Sequence, residues 1–143
     1  MFFNSKKKKL LKTGNDAIQA SLFGFFIGDA LGVPVEFQSR EKLERKKVTK
    51  MKGYGTHNQP KGTWSDDSSM VLATIDGLIQ SNGYNINYQA IMSNFLKWKS
   101  RGEFTPFNYV FDIGNATNNA LIVYQQKVAE NKVDDVICGN DNI

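Results

Sequence analysis

The segment Gly62-Thr-Trp-Ser-Asp-Asp-Ser-Ser-Met70 sets two adjacent carboxylates among several hydroxyls, where a glycine-bounded loop gives way to a helical apolar pattern. Oxygens of Ser65, Asp66 and Asp67 can converge there on a hard metal ion, because the first turn of a helix leaves its backbone groups outside the repeating ladder. The helix is expected from Met70, Val71, Thr74, Ile75, Leu78 and Ile79, which recur at three and four residues and form one apolar face. Asp67 lies on the extension of that face, and a carboxylate directed along a buried stripe needs a cation, a donor or a proton. A plainer assignment accounts for the same residues. Ser65 caps the helix, and Asp66 and Asp67 complement the positive end of its macrodipole.

Three further carboxylates deserve the same scrutiny. Asp29 falls near the carboxyl end of a helix, where the macrodipole disfavours negative charge, and continues the apolar series Ile18, Leu22, Phe25. Either it serves a ligand or it binds neighbouring loop amides or an Arg. Glu36 stands between Val35 and Phe37, as a site carboxylate or a solvent-facing one. Asp112 precedes Gly114 and Asn115, at a helix amino terminus whose free amides suit a phosphate or ribose, or need only a cap. His57 is the only histidine, which argues against imidazole bases, triads and zinc sites. An oxygen-ligated Mg2+ or Mn2+ is then the expected metal. Such an ion, with carboxylates from separate segments, suits hydrolysis and in particular glycosidic cleavage through an oxocarbenium-like centre.

The elements that must position these groups read as helical throughout. At 143 residues, with 41% hydrophobic and 22% charged residues, the chain has the composition of one globular domain. Residues 1–13 read as a basic, disordered tail and 14–143 as the domain. Asn15 or Asp16 caps a first helix ended by Gly32 and Pro34. Its second stripe of small residues, Ala17, Ser21, Gly24 and Gly28, invites close approach by another helix, so this helix is expected to be central and buried. Ser39 caps a short basic helix reaching toward Lys47, Ser81-Asn82-Gly83 stops the Asp-Asp helix, and Asn87 caps the next. That helix turns Ile91, Met92, Phe95 and Leu96 inward and ends near Gly102. After an irregular aromatic stretch, a helix from Gly114 and Asn115 carries Ala120, Leu121, Tyr124 and Val128, and Asp134 to Cys138 starts another. No segment alternates with period two, so an all-α fold is expected.

Charge and cysteine usage exclude other classes. Through Gly62 there are 13 Lys or Arg against 5 Asp or Glu, and after it 5 against 9. A solvated tail and a charged helix face account for the lysine runs, which have no interleaved aromatics, so nucleic acid is not the expected partner. The uncharged stretch Ala17 to Gly28 falls short of the roughly 20 residues that span a bilayer, and no membrane association is expected. A lone Cys138 fits a reducing, cytoplasmic setting.

Gly28-Asp-Ala-Leu-Gly32 with Glu36, then Gly62 to Met70, then Asp112-Ile-Gly114, resembles in order and spacing the ADP-ribosylglycohydrolase family, from about Ala17 onward. The resemblance implies an orthogonal all-α bundle with a dinuclear Mg2+ or Mn2+ centre. It implies removal of ADP-ribose from modified proteins or small ADP-ribose derivatives by cleavage of an N- or O-glycosidic bond. By position, Ser65, Asp66 and Asp67 match the family's metal ligands, Glu36 and Asp112 its catalytic acids, and Asp29, Gly114 and Asn115 its substrate-binding segments. The family's later Asp-x-Asp-Thr or Asp-x-Asp-Ser motif is absent from these 143 residues. The expectation is therefore an amino-terminal portion of such an enzyme, either completed by a separate chain or persisting as an inactive ADP-ribose-binding or structural remnant.

Overall fold

A computed structural model describes residues 14–81 and 85–132, which form helices and no strand. The order is α1 (Gly14–Gly32), a single 3-10 turn (Val33–Val35), α2 (Arg40–Arg45), α3 (Asp66–Ile79), α4 (Tyr88–Arg101) and α5 (Asn115–Ala129). The all-α expectation holds, and several boundary signals act as expected. Ser39 and Asn87 cap α2 and α4 by accepting the backbone N–H groups of Lys42 and Ala90, and Gly102 ends α4. α2 stops at Arg45 rather than near Lys47. Asp16 lies within the first turn of α1 rather than before it. The tail, Asn82-Gly83 and the segment from Asp134 to Cys138 lie outside the described residues.

The core is centred on the α3–α4 pair, and the side of α3 that enters it is not the one its large apolar residues predict. Ser68, Ser69, Ala73 and Gly77 are the buried positions of α3, whereas Leu78 and Ile79 are exposed, and so is Asp67. The reason is the closeness of the crossing. A Cβ added to Gly77 would stand 2.5 Å from Ile91 Cγ1 and 2.9 Å from its Cα, so only small side chains fit beneath α4. Larger residues flank the seam, half-buried.

Polar chemistry completes the seam. Asn94, buried in α4, donates through Nδ2 to Ala73 O at 3.1 Å and Asp76 Oδ2 at 2.8 Å, while Lys97 Nζ donates to Asn94 Oδ1 at 3.2 Å. A buried amide left unpaired would cost about 1–3 kcal/mol, so these bonds fix the register of the two helices. On α4 the buried set is Ile91, Asn94 and Trp98, the last 0% exposed, and Met92, Phe95 and Leu96 are only partly covered. α5 packs on α4 and buries Leu121 and Tyr124, leaving Ala120 and Val128 exposed.

α1 departs furthest from expectation. Only Ala30 is buried, and Ile18, Phe23, Phe25 and Ile27 are exposed. Its small-residue stripe receives no neighbour among the described residues, for a Cβ on Gly24 or Gly28 meets nothing within 4 Å. With the turn that follows, Gly14–Val35 is long and apolar enough, by length and composition, to cross a membrane. The uncharged core of the helix is shorter than that span, but only Asp16 and Asp29 interrupt it. The last turns of α1 nonetheless pack on α3.

Two glycine substitutions separate these environments. Gly77→Ala is expected to lower stability by about 1–3 kcal/mol through overpacking. Gly24→Ala, in open helix, is expected to raise it by roughly 0.5–1 kcal/mol. Urea unfolding of both variants followed by circular dichroism checks the contrast, and a destabilising Gly24→Ala would mean that the stripe is covered.

Candidate active site

The carboxyl end of α1 and the amino end of α3 meet through one side chain. Asp29 Oδ2 accepts the backbone N–H of Ser65 at 3.0 Å, the N–H of Ser68 at 3.2 Å and the Ser68 hydroxyl at 2.5 Å. The placement that looked unfavourable at the end of α1 is thus compensated by the helix start it faces, whose orphan amides need an acceptor. Ser65 adds its own cap by accepting the Asp67 N–H at 3.2 Å, and Ser69 Oγ donates to Ser65 O at 2.8 Å. Of the two assignments open for Ser65, capping is present, and the buried hydroxyl also faces the cavity described below.

The loop between α2 and α3 carries His57 to the site. Thr56 N donates to Pro34 O at 3.1 Å and Thr56 Oγ1 to Glu36 O at 2.7 Å, while Tyr54 N donates to Gln59 O at 2.7 Å and Asn58 N to Gly55 O at 3.1 Å. The loop lies directly on the 3-10 turn at Gly55, where a Cβ would stand 1.8 Å from Pro34 O. Gly55 is therefore required by contact rather than by an unusual dihedral angle. From the other side, the irregular stretch after α4 is pinned by Trp64 Nε1, which donates to Phe104 O at 3.1 Å, and by a hydrogen bond from the Tyr109 hydroxyl to Gln59 Oε1. It delivers Phe111, whose ring centroid is 5.4 Å from that of His57, and then Asp112.

His57 occupies the middle of the assembly. Its side chain is 13% exposed, with Nε2 2.5 Å from Glu36 Oε2 and 3.9 Å from Asp112 Oδ2. An ionised carboxylate only accepts, so beside ionised Glu36 the imidazole carries its proton on Nε2. Glu36, His57 and Asp112 each present a ligand atom within 4.8 Å of the others, a grouping able to hold a metal ion. The sole histidine, which has no place in the site expected from the sequence, stands beside Glu36 and Asp112. Nothing within the 50s loop marks it in the sequence, because the partners of its imidazole lie 20 and more positions away.

Glu36 and Asp112, but not His57, line a cavity of about 610 Å3, with Asp29, Ser65, Asp66, Asp67 and Gly114 also among its walls. Asn115 opens α5 with an exposed side chain and is not one of the walls. The walls include five carboxylates and no Lys or Arg. This crowding is felt most by Asp66, whose pKa is raised by burial and by the charges of Asp112 and Asp67, against a hydrogen bond from the Gly114 backbone N–H. Excess negative charge with oxygen donors on several segments fits a hard divalent cation.

Comparison with known proteins accords with this arrangement of an all-α scaffold around an acidic cavity. The chain belongs to the ADP-ribosylglycohydrolase family, whose model matches residues 11–142. It is 36% identical over 109 residues to the ADP-ribosylarginine hydrolase Tri1 of Serratia proteamaculans (strain 568), a match covering 76% of this chain and 28% of that protein. It is likewise 36% identical over 106 residues to the ADP-ribosylarginine hydrolase Tri1 of Pseudomonas putida (strain GB-1), covering 74% of this chain and 27% of the relative. The match thus spans little more than a quarter of the curated relatives' length.

Two outcomes test the site's construction. Gly55→Ala should force the loop off Pro34 and separate His57 from Glu36, seen as a change in the His57 ring resonances by NMR while α-helical circular dichroism persists. For Asp66 the raised pKa means that the native state holds more protons than the unfolded state between the ordinary carboxylate range and the raised value. Stability should therefore fall as pH rises through that window and stay lower above it. Asp66→Asn should flatten this dependence and raise the melting temperature at neutral pH without divalent ions, measured by thermal unfolding across a pH series.

Proposed function

We propose that this chain supplies the acidic half-site of a metal-dependent hydrolase that removes ADP-ribose from arginine by cleaving the N-glycosidic bond. The observation that carries the reading is the convergence of Glu36, Asp66, Asp67 and Asp112 from three separate segments on one cavity without a Lys or Arg among its walls, with His57 grouped with Glu36 and Asp112. An anionic substrate such as ADP-ribose is repelled by those walls unless a cation intervenes. Mg2+ or Mn2+ is the proposed ion. Asp66, Asp67 and the Ser65 hydroxyl are proposed to hold it, with Glu36, His57 and Asp112 able to contribute. When bound, it would lower the pKa of a water and polarise the ribose hydroxyls.

The chain's own groups then have distinct tasks. Glu36, held by the His57 Nε2–H, accepts the proton of the attacking water, and the imidazole keeps its carboxylate oriented. Asp112 stabilises positive charge as the anomeric centre becomes oxocarbenium-like. Gly114, at the start of α5, presents backbone to the ribose, while Asp29 acts from behind by fixing the start of α3. That both relatives are ADP-ribosylarginine hydrolases supports arginine as the acceptor. The lone cysteine supports action in the cytoplasm.

The test is release of arginine from ADP-ribosylarginine by the full chain, with Mg2+, Mn2+ or EDTA, alongside thermal unfolding with and without ADP-ribose. Glu36→Ala should reduce turnover by about 10²-fold or more, and Asp66→Ala with Asp67→Ala should abolish the metal-induced rise in melting temperature. A stabilising response to ADP-ribose without any metal-dependent turnover would replace hydrolysis by a binding-only role. Metal binding unchanged by both aspartate substitutions would refute the assigned ligands.

A further inference from the structure

Phe37 follows Glu36 in the chain and combines two features that the fold does not use. Its backbone is left-handed, at φ 60°, a conformation that is sterically unfavourable for a bulky residue. Its ring is 82% exposed and lines the mouth of the acidic cavity. A packed ring would offset the steric cost by burial, and an exposed turn would ordinarily take Gly or Asn. Here the conformation is imposed from either side, by the Gln38 N–H donating to Val35 O at 3.1 Å and by Thr56 Oγ1 donating to Glu36 O at 2.7 Å. The ring is held beside His57, with centroids 5.8 Å apart and planes inclined by 59°. Phe111 lies on His57 as well, so three rings form an aromatic wall next to the reactive carboxylates.

We infer that Phe37 is a specificity-determining residue whose ring stacks on the planar guanidinium of an arginine-linked substrate. The inference rests on the hydrolase reading above and adds to it the residue that receives the acceptor. Position selects the ligand. A group seated beside Glu36 lies at the bond being broken, whereas the adenine of ADP-ribose is separated from that bond by a pyrophosphate and two sugars. Charge selects it as well, since a delocalised cation is attracted both by the phenyl face and by the surrounding carboxylates. A serine-linked substrate offers neither a plane nor a charge to this wall.

The experiment is titration calorimetry of the full chain with Mg2+, using ADP-ribosylarginine, ADP-ribosylserine and free ADP-ribose. All proteins carry Glu36→Gln, which prevents turnover and retains an oxygen to accept from His57. Phe37→Ala should weaken ADP-ribosylarginine by roughly 2- to 30-fold and leave the other two compounds unchanged. Phe37→Tyr, which keeps the ring and the backbone, should retain the affinity. Equal weakening of all three compounds by Phe37→Ala, or of none, would overturn the inference while leaving the hydrolase reading standing. Failure of every compound to bind the protein with Phe37 intact would overturn both. Because the ring is exposed, Phe37→Ala should unfold at the same urea concentration as its parent, which separates a binding effect from a loss of structure.

Discussion

The carboxylate of Asp29 is the joint on which the site depends. One oxygen receives two backbone amides and a hydroxyl from the first turn of α3 and the residue before it, so the end of α1 and the start of α3 cannot separate without exposing three donors to an unsatisfied interior. Each charge-assisted bond of this type contributes on the order of 1.5–3 kcal/mol. Glu36 sits seven residues beyond Asp29 and Asp66 one beyond Ser65, so their mutual placement follows from this joint. Asp112 enters from a third direction, through the Asp66 carboxylate that accepts the Gly114 N–H.

A second constraint is the depth of the α3–α4 seam. Small residues on α3 bring the helix backbones close, and Asn94 locks their register. This rigid pair carries Asp66 and Asp67 at one end, away from the exposed part of α1. Burial, and after it the charges of Asp112 and Asp67, therefore act on side chains against a fixed backbone and raise the Asp66 pKa. A cation entering the cavity would meet ligands already brought together by the scaffold.

Much of this was legible from local signals. Helix type, the Asn87 and Ser39 caps and the stops at Gly32 and Gly102 depend on neighbours in sequence, and those agree with the structure. The three motif segments also meet at one cavity. What local pattern misses is contact between distant segments. His57 joins Glu36 across 21 positions, and Asn94 joins Asp76 across 18. The burial of α3 through serine, alanine and glycine inverts the usual reading of hydrophobic periodicity, because closeness of approach outweighed apolar area. For α1 the pattern correctly marks a helix, but its predicted burial required neighbours that the described residues do not provide.

The loop bearing His57 is held mainly by its backbone. Tyr54, Thr56 and Asn58 each donate a main-chain N–H, to Gln59, Pro34 and Gly55 respectively, and these bonds are indifferent to the side chains attached. Apart from Gly55, which contact with Pro34 requires, and Thr56 and Gln59, whose side chains make bonds of their own, sequence drift along this segment is consequently cheap wherever the residue still supplies an N–H and tolerates the local dihedral angle. The loop can diversify its outer face while the imidazole stays in register with Glu36. Variation and positional constraint thereby fall on opposite sides of one short peptide.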